Sequence, residues 1–147
     1  MRRTAMVEAP AAATHIMPIR VYYEDTDAAG MVYYANYLNF AERARTEMMR
    51  DLSNGLYARM LADGMAFVVR RCTADYAGAA KLDDLVEVHS RVLHVGGASL
   101  KAEQVVWRDG ERLVAMEVKL GCIGPDGRPA RMPADLRAMI EKMRVNA

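Results

Sequence analysis

The segment from Tyr37 to Leu52 constrains this chain more than any other. Tyr37, Phe40, Ala41, Ala44, Met48 and Leu52 recur at steps of three and four, while Glu42, Arg43, Glu47, Arg50 and Asp51 take the remaining positions. That spacing predicts one amphipathic helix, capped at its start by Asn36 and stopped by Asn54-Gly55. At about 1.5 Å per residue it would be roughly 25 Å long, the width of a small domain. Its apolar stripe must be buried against something, and the rest of the chain supplies strands. Ile19, Val21 and Tyr23 alternate with Arg20, Tyr22 and Glu24 from Pro18 until Asp25, the mark of a half-buried strand. After a short helical piece from Leu56 to Ala62, the runs Phe67 to Tyr76 and Leu85 to Val95 are too β-branched for helix. Ser99 to Arg108 and Glu111 to Ile123 form another pair, joined by Asp109-Gly110, the two-residue signal of a type I′ hairpin. Pro125 to Pro129 is a turn, and Pro133 opens a last helix with Leu136, Met139, Ile140 and Met143 on one stripe.

Strand, long helix, then four strands in succession is not the alternation that a parallel sheet requires. The fold class predicted is α+β, an antiparallel sheet of about five strands curled around one long central helix. Such a sheet leaves open edges that proteins cover, charge or pair, so an oligomer is expected. The 147 residues suffice for one core, assigned to 17–147, with the Ala-rich residues 1–16 as a flexible leader. A net charge of +1 gives no field that would draw the molecule to nucleic acid or anionic lipid. Glu8 and Pro10 interrupt any signal-peptide core, and no run of apolar residues reaches membrane-spanning length, so the cytoplasm is the expected compartment. Cys72 and Cys122 lie in apolar runs without metal-ligand spacing and read as small buried hydrophobes.

Several kinds of chemistry are removed by inventory. Ser53, Ser90 and Ser99 fit no nucleophile elbow. His15, His89 and His94 lack the spacing of a metal site, and the latter two read as sheet residues, so no metal is expected. Gly96-Gly97 does not extend into a dinucleotide fingerprint, and no cofactor is implied. What remains is the acidic link Glu24-Asp25-Thr26-Asp27-Ala28-Ala29-Gly30 before the long helix. Acidic residues there can simply complement the helix dipole or stabilise a turn. They can also place a carboxylate beside the helix's unpaired first N–H groups, a base next to an oxyanion hole. Gly30, free to take positive φ, would let a ligand approach the backbone.

The run from Arg20 to Met48, with its Asp25-Thr26-Asp27 and Tyr33-Tyr34-Ala35-Asn36-Tyr37, resembles the hot-dog-fold acyl-CoA thioesterases. It is most similar to the 4-hydroxybenzoyl-CoA thioesterase family and, within it, to the branch associated with the Tol–Pal envelope system. Phe67 to Arg71 and Asp75 to Asp84 fit that branch as well, so the likeness spans residues 18–142. The resemblance implies hydrolysis of acyl-CoA without metal or organic cofactor, in homodimers or homotetramers whose sites lie between subunits. Asp27 takes the place of the family's catalytic carboxylate, as nucleophile or as base for water. The backbone N–H of Tyr34 takes that of the oxyanion donor, and Tyr23 lines the site. Where members of the branch commonly carry His, seven residues after the aspartate, this chain has Tyr34, and a phenol is a poor base at neutral pH.

The CoA phosphates call for cations, for which Arg70, Arg71, Lys81 and Arg91 are candidates by residue type. An acyl carrier protein is an alternative carrier of the acyl group. Two other readings compete: an acyl-thioester hydratase, which would pair a His with a carboxylate where Thr26 to Leu52 has no His, and a non-catalytic scaffold binding acyl carriers or envelope proteins.

Overall fold

A computed structural model describes residues 15–144. The elements follow in the order β1 (His15–Arg20), α1 (Asn36–Leu52), α2 (Leu56–Ala62), β2 (Ala66–Tyr76), β3 (Leu85–Val95), β4 (Ser99–Arg108), β5 (Glu111–Ile123) and α3 (Ala134–Met143). The strands make one antiparallel sheet in the order β1-β3-β4-β5-β2. Asp109 and Gly110 both have positive φ, 49° and 78°, as the type I′ turn between β4 and β5 requires.

α1 lies against one face of this sheet. Tyr37, Phe40, Ala41, Ala44 and Met48 are almost fully buried and share a core with Val86, Val88, Val92, Leu100, Val106, Val114, Met116 and Val118 from β3, β4 and β5. Burying each large side chain contributes roughly 1.5–3 kcal/mol, so this one stripe fixes the helix on the sheet. α3 adds Leu136 and Ile140 to the same core beside β3. Among the described residues no helix is long and apolar enough to cross a membrane.

Four expectations are corrected. The first strand runs from His15 to Arg20, earlier than the alternation up to Glu24 suggested, and Tyr23–Asp25 is a 3-10 turn. The Asp25 carboxylate accepts the Tyr22 N–H at 2.9 Å and so bends the chain out of the strand. His15 and Ile16, assigned to the leader, are therefore strand residues, with the His15 ring 2.9 Å from the Asp51 carboxylate; the remaining leader positions lie outside the described residues. Asn36 does not cap α1 but is its first residue, the cap position falling on Ala35. Cys122 is buried as expected, whereas Cys72 is exposed. It sits on β2, an edge strand whose residues are half-buried or exposed along its whole length.

Candidate active site

The acidic link folds into a tight hairpin. Asp27 N–H donates to Met31 O at 2.8 Å, Gly30 N–H to Asp27 O at 3.0 Å and Tyr33 N–H to Asp25 O at 2.9 Å, and Thr26 faces Val32 in an antiparallel bridge. Asp at the first and Gly at the fourth position suit a type I turn, and Gly30 leaves it at a φ of +76°. The Asp27 carboxylate stands at the exposed tip. Its Oδ1 accepts Ala29 N–H at 2.9 Å and, at 3.4 Å, Met31 N–H, while Oδ2 has no donor among the described residues.

Asp25, two residues earlier, is buried and fully engaged. Besides the Tyr22 N–H on Oδ2, its Oδ1 accepts the Asn36 side-chain amide at 2.7 Å, joining the hairpin to the start of α1. Asn36 N–H in turn donates to Tyr33 O at 2.8 Å. In a trans peptide the N–H points opposite to the carbonyl, so the Tyr34 N–H faces away from the helix. No acceptor among the described residues takes it. From the other side the Tyr76 hydroxyl of β2 donates to Tyr34 O at 3.1 Å, and the Tyr76 ring meets those of Tyr34 and Tyr37 at 6.1 and 5.9 Å. Tyr34 itself is 64% exposed. Along the returning segment three residues, about 10 Å of extended backbone, separate Met31, the partner of Asp27, from Tyr34.

A third segment buttresses the hairpin. Val32 N–H donates to Ala80 O at 2.9 Å and Leu82 N–H to Gly30 O at 3.1 Å, with Met31 bridged to Lys81. The Ala80 N–H donates to the Tyr37 hydroxyl at 2.9 Å, and burial pushes that phenol up from its ordinary pKa. Asp84 closes the turn by accepting Lys81 N–H and an Arg108 N–H, each at 2.8 Å. Burial alone would raise the Asp84 carboxyl, but these donors outweigh it and hold it below the usual range.

The candidate residues thus separate into groups. Asp27, Gly30 and Lys81 are brought together by the hairpin and its buttress, while Tyr34 lies just before α1, against Tyr76. Tyr23 is on the adjoining 3-10 turn, 83% exposed. Arg70 and Arg71 lie farther along β2, where with Lys119 they line an open hollow beside Gly121. A Cβ at Gly121 would meet the Arg70 side chain at 3.3 Å, so the glycine gives that arginine its place. Arg91 is not available in the same sense, because its guanidinium forks onto the Glu103 carboxylate at 2.9 and 3.1 Å. Tyr76 and the Asp25–Asn36 pair were not read from the sequence as parts of the site. Among the described residues no group of three or more His, Cys, Asp or Glu could hold a metal ion.

Residues 29–115 match the family model described as the thioesterase superfamily. The chain is 41% identical over 128 residues to an acyl-CoA thioesterase, YbgC, of Haemophilus influenzae, covering 86% of this chain and 94% of that protein. Among solved structures, a probable thioesterase from Bartonella henselae superposes with a TM-score of 0.72 at 33% identity, covering 81% of this chain and 98% of the other. A hypothetical protein from Thermus thermophilus superposes with a TM-score of 0.82 at 26% identity, covering 88% and 98%.

Proposed function

The chain belongs to the thioesterase superfamily, and from that premise we propose that it hydrolyses acyl-CoA thioesters at the hairpin between β1 and α1. What supports this reading is an exposed Asp27 carboxylate with one oxygen left open and, seven residues on, the unclaimed N–H of Tyr34. The Tyr34 N–H receives the thioester carbonyl oxygen and stabilises the charge that develops there. Asp27 either draws the proton from a water that adds to the carbonyl carbon, or attacks that carbon itself and is released by water afterwards. In both routes the carbon–sulfur bond breaks and the CoA thiolate leaves to be protonated, giving free acid and CoA. A positioned base contributes about 10² to 10⁴ in rate and one oxyanion donor roughly 3–4 kcal/mol, sufficient for an ester already activated by sulfur. Tyr34 serves through its backbone, and Tyr76 holds that backbone in place.

The assembly we propose is a homodimer, or a tetramer of two such dimers. β2 is an eleven-residue edge strand, and beside it Tyr34, Leu38, Val69 and Tyr76 are exposed on the side that carries the site. A second copy pairing on that edge would cover them and enclose Asp27. Tyr23 and Gly30 line the enclosed cleft, and Arg70, Arg71 and Lys81 meet the CoA phosphates; Arg91, neutralised by Glu103, does not. A 4-hydroxybenzoyl type, a place in the Tol–Pal-associated branch and a cytoplasmic location accompany this reading, with the motif from Arg20 to Met48 as support, and an acyl carrier protein is a second form of the leaving thiol. The test is thiol release from a panel of acyl-CoA esters. Native protein is expected to turn over at least one of them, and Asp27→Asn to be slower by a hundredfold or more. Equal rates in the two proteins would make the fold a scaffold rather than an enzyme.

A further inference from the structure

Between α1 and the inner faces of β2, β4 and β5 lies a cavity of about 240 Å³. For scale, a cavity of roughly 150 Å³ accepts a benzene ring. Most of its wall is apolar, with Met49, Tyr57, Phe67, Leu100 and Leu120 among its residues, but Arg45 of α1 also faces it. The Arg45 Nη1 donates to Gln104 Oε1 at 2.9 Å. Gln104 is fully buried and donates in turn to Ala41 O at 2.8 Å and Ser90 Oγ at 2.9 Å. This relay draws the guanidinium back to the level of Ala41, one turn toward the start of the helix, the direction in which helical side chains lean.

A guanidinium carries five N–H donors, and among the described residues Gln104 is the one acceptor that Arg45 has, with no carboxylate at ion-pair distance. Burial pulls its pKa below the ordinary value, offset in part by Glu42, which lines the same cavity, and by Cys72 and Tyr57. A half-buried cation without a close counter-charge is a cost to folding, whereas its free donors suit an oxygen arriving with a ligand. From Tyr34 to Ala41 is seven residues, about 10 Å along the helix direction. An acyl group whose carbonyl rests on the Tyr34 N–H would bring its far end to Arg45.

We propose that Arg45 is a specificity-determining residue: it donates to an acceptor oxygen at the far end of the acyl group, so that short acyl groups ending in hydroxyl or carboxylate are preferred over plain alkyl groups of equal length. The inference rests on the thioester-hydrolase reading above. Three matched esters test it, hexanoyl-CoA, 6-hydroxyhexanoyl-CoA and adipoyl-CoA, which differ at the terminal carbon alone. Native protein is expected to show a kcat/KM at least tenfold higher for one or both oxygen-bearing esters than for hexanoyl-CoA, and the two oxygen-bearing esters distinguish a neutral acceptor from an anionic one beside Glu42. In Arg45→Met that preference disappears while the hexanoyl rate stays within threefold. Should Arg45→Met not fold, Arg45→Gln keeps an amide for Gln104 and is expected to lower the preference at least fivefold. Turnover of all three esters at equal rates by native protein, or an equal loss on all three in the variant, overturns the inference and leaves the hydrolase reading standing. No turnover of any acyl-CoA removes both.

Discussion

Asp25 and Asp27 are separated by one threonine, yet the molecule uses them in opposite ways. The base of the hairpin, at Asp25, is buried, and both carboxylate oxygens are taken by donors from neighbouring segments. The tip, at Asp27, is exposed, and one oxygen is left open. A buried carboxylate with strong donors orders the backbone around it, and that order is what allows the second carboxylate to stand in a defined place without being consumed. The same division recurs at Tyr76 and Tyr34: the Tyr76 hydroxyl fixes the Tyr34 carbonyl, and the Tyr34 N–H stays free.

Substitutions at the base should therefore cost stability first and rate second. The largest such effect is expected for Asp25→Ala, which strips the partners from Tyr22 N–H and the Asn36 amide. Hydrogen bonds to a charged group are worth about 1.5–3 kcal/mol each, so urea denaturation should show a loss of roughly 2–4 kcal/mol. A loss below about 0.5 kcal/mol would mean that the base does not anchor the hairpin. Gly30→Ala comes next. Nothing lies within 4 Å of the added Cβ, so any cost reflects the φ of +76° alone, about 1–2 kcal/mol in the same assay. Tyr76→Phe is the smallest, about 0.5–1.5 kcal/mol, but it sharpens the contrast through rate. With the Tyr34 carbonyl released, kcat should fall severalfold while KM changes little; an unchanged kcat would remove Tyr76 from the positioning of the oxyanion donor.

The sequence revealed the regular elements well because their periods are long and unambiguous. The stripe from Tyr37 to Met48 and the hairpin at Asp109-Gly110 each have one structural solution, and β3, β4 and β5 begin and end where their patterns do. At the first strand the pattern misleads, because Tyr22 and Tyr23 continue its alternation while the bend is imposed by a carboxylate three residues beyond Tyr22. Arg91 looked like a free cation until the β3–β4 register set it opposite Glu103. Tyr76 could not be linked to Tyr34 from the chain alone, since 42 residues separate them and only the closing of β2 against the start of α1 brings them together. Asp27 and Tyr34 are legible as parts of a motif, but the hairpin locked by Asp25 that carries Asp27 at its tip is visible only in three dimensions.

The central claim is that Asp27 does chemistry where Asp25 holds structure, and parallel measurement of thiol release and thermal unfolding for Asp27→Asn and Asp25→Asn tests it most directly. The account predicts that Asp27→Asn, whose amide oxygen can still accept the Ala29 N–H, melts with the native protein but loses at least a hundredfold in kcat. Asp25→Asn should melt earlier and keep the greater part of its rate at temperatures where it is folded. The reverse pattern, an active Asp27→Asn beside a stable and inactive Asp25→Asn, would contradict it.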